Sequence, residues 1–230
     1  SKVQSIEKLK TKIKVNIITE SGSLQIDGNV ALLAIGVEGN IKNIGLQDIG
    51  VQSKNGSISI NSYCQTNISN IYAIGDVAGP PWLAHKASAQ GHMVADLICG
   101  KRVHEIDYFN VPNCTYCQPQ VASLGLTESK AKDLGHNIKV GKFFFRASGK
   151  AMAVGNTFGF VKLIFDDRYG ELIGAHIIGD GATEMIAELN LAKALESTWE
   201  DLAMTMHAHP TLSEAVMEAA MDAFGSAIHQ

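Results

Sequence analysis

Residues 159–195 constrain the fold more than any other stretch of the chain. Two runs rich in β-branched and aromatic side chains, 159–165 and 171–178, flank the polar turn Asp166-Asp167-Arg168-Tyr169-Gly170. Such a pair of runs around a short turn predicts an antiparallel hairpin. Directly after it, Met185, Ile186, Leu189, Ala192 and Leu195 recur at helical spacing, so 182–195 predicts a helix with an apolar face. That face has to be buried, and the hairpin offers the surface. Residues 121–126 and 140–145 read as further strands, Thr127 opens a short helix, and a last helix is expected over 212–224. The fold class predicted is α+β, an antiparallel sheet with packed helices, preceded by partial α/β segments.

Those α/β segments lie upstream. Ile13, Val15 and Ile17 alternate with period two, Ser21-Gly22-Ser23 makes a turn, and Leu24 and Ile26 resume the alternation, so a hairpin is expected. The continuous apolar run 30–36, ending in Gly36, suits a strand buried on both faces. Residues 38–70 are loop-rich, with Ile58 and Ile60 marking a short strand. Residues 71–76 read as a strand ending in Gly75-Asp76, followed by a loop and a helix over 83–98. In open α/β sheets ligands lie beyond the carboxyl ends of strands. Gly75 permits close backbone approach, Asp76 can accept hydrogen bonds from a ligand's hydroxyls, and the helix start offers free N–H groups. Asp76 can equally cap a turn.

Acid–base chemistry concentrates in His207-Ala208-His209-Pro210-Thr211-Leu212-Ser213-Glu214. Histidine exchanges a proton near neutral pH, and a nearby carboxylate orients the ring and stabilises its charged form. Thr211 to Glu214 also has the spacing of a capping box, which gives Glu214 a second job; the role of His207 stays open. Cys114 and Cys117 have C-x-x-C spacing, but they sit in a loop between Pro112 and Pro119 with no second Cys/His pair, so neither metal nor redox use is expected of them. With 19 Lys+Arg against 23 Asp+Glu, the net charge of −4 points away from nucleic acid and anionic membrane. No apolar run reaches the roughly 18 residues of a membrane span. Four cysteines in 230 residues argue for a reducing compartment.

Three segments in this order, Tyr72-Ala73-Ile74-Gly75-Asp76, Leu83-Ala84-His85-Lys86-Ala87 and the 207–214 motif, resemble the pyridine nucleotide–disulfide oxidoreductases, and among them the dihydrolipoamide dehydrogenase branch. The resemblance covers the C-terminal half of such an enzyme. It implies the end of an NAD-binding domain at 1–36, with Gly36 at the cofactor, a central segment returning to the FAD domain at 37–108, and an interface domain at 109–230. It implies FAD contacts at Gly75, Asp76, Leu83, Ala84 and His85, and His209 as acid–base catalyst with Glu214 as its partner. It further implies a homodimer with a shared site, docking to the lipoyl-bearing acyltransferase of 2-oxoacid dehydrogenase complexes, and a bacterial cytoplasmic or mitochondrial matrix location. FAD and NAD glycine motifs and the redox Cys-x-x-x-x-Cys are absent from these 230 residues. The chain alone is therefore expected to be inactive. The alternatives are another FAD-dependent disulfide reductase, of glutathione or mercuric type, and a non-enzymatic dimerisation fragment.

Overall fold

The computed structural model describes residues 1–229. Strands β1 (Lys2–Lys8), β2 (Ile13–Thr19) and β3 (Gly22–Gly28) form one antiparallel sheet in that order. Val15 faces Ile26 and Ile17 faces Leu24 across β2 and β3. The alternation seen in the sequence is thus a ladder of cross-strand apolar pairs. β1 was not expected. Its apolar residues are sparse, and its pairing with β2 makes it a strand.

The apolar run 30–36 is not the buried strand expected of it. It is irregular, and Val30, Leu32, Leu33 and Ile35 stand 72–90% exposed. A strand buried on both faces needs paired neighbours and two covering layers, and among the described residues no strand pairs with this run. The strand expected at 71–76 is likewise reduced to an isolated bridge between Gln65 and Tyr72, followed by a 3-10 turn over Gly75–Ala78. Gly75 turns the chain at φ +73°, a conformation costly for other residues. A two-residue pair, β4 (Ser53–Lys54) and β5 (Ser57–Ile58), precedes this turn, and α1 (Ala84–Ile98) follows it.

The second half builds the larger sheet. Its elements are β6 (Asn113–Thr115), β7 (Gln120–Gly125), α2 (Glu128–Asp133), β8 (Ile138–Phe144), α3 (Gly149–Val154), β9 (Gly159–Asp166), β10 (Leu172–Gly179), α4 (Ala182–Ala194), α5 (Trp199–Met204) and α6 (Glu214–Asp222). The five strands run antiparallel in the order β6-β7-β10-β9-β8. The predicted hairpin is β9–β10. Its turn is tied by the Asp166 carboxylate, which accepts from the amides of Arg168 at 2.9 Å and Tyr169 at 3.2 Å. One face of the sheet carries α4 over β7 and β10, and α6 over β8 and β9. Between them Phe145, Phe165, Leu163, Ile177, Leu189 and Val216 are buried. The shorter elements β6, α3 and α5 lie below the length at which periodicity is legible. α5 carries a capping box of its own, Thr198 with Asp201.

Close approach of α6 to the sheet depends on Gly141. A Cβ there would lie 1.8 Å from the carbonyl oxygen of Ala219. Any side chain at this position forces the helix that carries Glu214 off the sheet. Gly141→Ala is therefore expected to destabilise the protein by about 1–3 kcal/mol through overpacking, read as a lower denaturant midpoint; an unchanged midpoint would show that the helix can shift freely. Among the described residues no helix is long and apolar enough to cross a membrane.

Candidate functional site

The backbone over 205–213 crosses from the end of α5 to the start of α6 without regular structure. The His209–Pro210 peptide is cis. The Thr211 hydroxyl donates to the carbonyl of Ala208 at 2.7 Å, closing the loop. Its amide donates to Glu214 Oε2 at 2.8 Å, while Glu214 Oε1 accepts from His209 Nδ1 at 2.8 Å. The capping box expected here is only half made. Glu214 reaches back as that motif requires, but Ser213 is the N-cap and the Thr211 hydroxyl is engaged within the loop. The hydroxyl finds the Ala208 carbonyl three residues back, so it does not serve the helix amides.

Both Glu214 oxygens are thus occupied. Burial presses its carboxyl upward, but the Thr211 amide and the His209 ring outweigh it and hold the carboxyl below its ordinary range. Glu214 also stands in the first turn of α6, where a negative charge is favoured by the helix dipole. A carboxylate can only accept, so the hydrogen on the His209 ring belongs on Nδ1. The other nitrogen, Nε2, is then the basic one. The His209 side chain is 78% exposed, against 28% for Glu214. The ring is held through Nδ1 by a fixed carboxylate, an arrangement in which Nε2 can accept a proton. A cavity of ≈ 300 Å³ bordered by Phe143, Ser148, Met152, His209, Glu214 and Glu218 adjoins it.

The second group of residues expected at a site comes together around Gly75. Lys86 and Gln90, one turn apart on α1, are almost fully buried at 1% exposure. Lys86 Nζ donates to the carbonyls of Gly75 at 3.0 Å and Gly79 at 2.8 Å. Gln90 accepts from the Gly75 amide at 2.8 Å and donates to the Tyr108 hydroxyl at 2.9 Å. Helix α1 therefore grips the turn through both backbone groups of Gly75. Burial pushes the Lys86 ammonium below the ordinary lysine range, and the Asp76 carboxylate pulls it back. Asp76 itself remains exposed. No side chain caps α1 at Leu83, which leaves the first amides of the helix for another acceptor. Ala84 and His85 are exposed beside them, and His85 Nε2 lies 2.8 Å from the carbonyl of Pro112. An exposed carboxylate next to uncapped amides suits a ligand bearing hydroxyls and electron-rich ring atoms, which is what FAD presents. Gly36 stands apart, at φ +120° in the exposed 30–36 run, where a Cβ would meet nothing within 4 Å.

Lys86, Gln90 and Glu188 were not singled out by the sequence. For the first two a signal existed. They share the helical face of Met93 and Val94, where a polar residue has to be paired. Glu188 gave none, because it meets His207 across 19 positions. Cys114 and Cys117 are free, and the Cys117 thiol lies 3.1 Å from the Pro119 carbonyl.

Residues 1–91 match the model of the pyridine nucleotide-disulphide oxidoreductase family, and residues 111–220 match that family's dimerisation domain. A protein of Rhizobium etli named dihydrolipoyl dehydrogenase is 48% identical over the whole chain, which covers 48% of that protein. One of the same name from Zymomonas mobilis is 49% identical over 86% of the chain and 43% of its own length. Among solved structures, LpdA of Mycobacterium tuberculosis superposes with a TM-score of 0.85 at 26% identity, over 95% of this chain and 47% of that one. The chain thus spans about half the length of the relatives it matches. With both parts of the family matched in their order, and nearly half of all residues shared with such relatives, the chain belongs to the pyridine nucleotide–disulphide oxidoreductase family.

Proposed function

We propose that this chain is the C-terminal half of a dihydrolipoamide dehydrogenase, an enzyme that oxidises dihydrolipoamide with NAD+ as acceptor. The observation that carries this reading is the His209–Glu214 pair, with Nδ1 bound to a carboxylate and the ring otherwise exposed. The oxidation removes two electrons and two protons from a dithiol, and the thiolate, not the thiol, is the reactive form. His209 Nε2 takes a thiol proton, and Glu214 stabilises the imidazolium that results. FAD would supply the two-electron carrier between the thiols and NAD+. In this chain the residues that would hold it are Gly75, Asp76, Leu83, Ala84 and His85, with Lys86 and Gln90 fixing the turn behind them. Gly36 as a cofactor-binding residue rests on the resemblance alone.

In the same proposal 1–36 ends the NAD-binding domain, 37–108 returns to the FAD domain, and 109–230 forms the interface of a homodimer. The large apolar side chains left exposed around α4 and α5, Leu191, Leu195, Met204 and Met206, support a covered face there. An exposed His209 is consistent with a site completed by a second subunit, and docking to a lipoyl-bearing acyltransferase follows from the substrate proposed.

The intact protein is expected to sediment as a dimer, to show flavin absorbance and to reduce NAD+ with dihydrolipoamide. Residues 1–230 alone are expected to show no turnover. Turnover of glutathione disulfide or mercuric ion in place of dihydrolipoamide would move the protein to another branch of the family.

A further inference from the structure

His207 is held at both ring nitrogens. Its side chain is 5% exposed. Nδ1 lies 3.0 Å from the Thr205 carbonyl oxygen, and Nε2 lies 2.7 Å from Glu188 Oε1. Both facing atoms are acceptors when Glu188 is ionised, and a neutral imidazole has one N–H to offer. Both bonds exist together only if the ring and the carboxylate hold one proton more than a neutral imidazole beside a free carboxylate. The 2.7 Å separation falls in the range of charge-assisted hydrogen bonds. Thr205 is the C-cap of α5 in extended conformation, and its carbonyl oxygen faces the ring as an acceptor. The same loop carries His209, whose Nδ1 is bound to Glu214 at the start of α6.

Glu188 sits on α4, which packs on β7 and β10, whereas His207 belongs to the loop that carries His209 two residues later. We propose that His207 and Glu188 form a proton-sharing clasp that ties the catalytic loop to the sheet domain and so positions His209 toward its substrate. This rests on the acid–base role proposed above for His209. His207 and Glu188 are positioning residues. Neither is oriented to meet the thiol, since the ring is buried and both of its nitrogens are taken. The clasp also explains why a largely exposed His209 can keep one direction. Its loop is fixed at one end by the buried ring and at the other by Glu214 and the Thr211 hydrogen bonds.

Neutron diffraction from crystals of the intact protein at neutral pH tests the clasp directly. The expected map shows hydrogen on Nδ1 of His207 and a second hydrogen between Nε2 and Glu188 Oε1. An Nδ1 without hydrogen, or no hydrogen between Nε2 and Oε1, overturns the proposal. In Glu188→Gln the amide can donate to Nε2, so the ring is expected to keep one hydrogen only. Thiol oxidation by this variant is expected to fall about 10²-fold, the order that a 1 Å misplacement of a catalytic group produces, with an altered pH profile and with NADH-driven flavin reduction unchanged. An unaltered rate and pH profile would refute the positioning role. Should the variant not fold, the neutron map of the unaltered protein decides. Full activity of His209→Gln would instead sink the proposed function, and would leave the proton positions at His207 unaffected.

Discussion

Replacing His209 by Gln in the intact protein is expected to lower the rate of dihydrolipoamide oxidation about 10³-fold, within the span that a positioned general base contributes. Glutamine matches the reach of the ring and can still donate to Glu214, but it cannot take up a proton at neutral pH. The Glu214 contact at 2.8 Å is thereby kept while the chemistry is lost. Flavin content is expected to be unchanged, because Gly75 and the start of α1 are separate from the 205–213 loop. Steady-state rates with the dithiol, set beside flavin absorbance and NADH-driven flavin reduction, separate the two effects. Near-normal turnover would remove His209 from the mechanism. Glu214→Gln is a companion test: the amide donates to Nδ1, which drives the hydrogen to Nε2 and blocks the nitrogen that has to accept the thiol proton. Its thiol rate should fall with that of His209→Gln, again with flavin retained.

The second large effect is expected at Lys86, a residue outside any proton transfer. Lys86→Met keeps the length of the side chain and removes its ammonium. The carbonyls of Gly75 and Gly79, bound at 3.0 and 2.8 Å, then face a buried apolar group. An acceptor left unpaired in the interior costs about 1–3 kcal/mol. Two of them outweigh the relief of no longer burying a charge, for a net loss of about 2 kcal/mol. The turn that presents Asp76 is also released, so the flavin-to-protein ratio after gel filtration is expected to drop. A variant with unchanged denaturation midpoint and full flavin would show that Gln90 alone holds the turn.

The larger sheet could be read from the chain because its elements are long and strongly patterned. The β9–β10 hairpin and α4 lie within a residue of where the runs 159–165, 171–178 and 182–195 place them. The same signal misled at 30–36 and 71–76. Continuous apolar character says that a segment wants cover on both sides, but pairing makes a strand, and neither segment finds a full partner. The short β6, α3 and α5 escaped notice because β6 has only three residues and α3 and α5 are each under two turns, too short for a helical period to repeat. At the site, His209 and Glu214 were legible because five positions of local sequence bring them together. Lys86 and Gln90 were hidden in a helical face that reads as ordinary core, and Glu188 was hidden by distance along the chain.

What could be read without coordinates is local: the hairpin and helix spacing that build an α+β sheet domain, the proline-bound His209–Glu214 motif, and Gly75-Asp76 ahead of α1. Each depends on residues within one turn or one hairpin of each other, so their chemistry and spacing suffice. Packing in three dimensions settled which nitrogen of His209 is engaged, that Lys86 and Gln90 grip the turn behind Asp76, and that His207 meets Glu188. The reason is physical: a buried polar group has to find a partner wherever the packing of helices on the sheet brings one, and that choice is made in space, not along the chain.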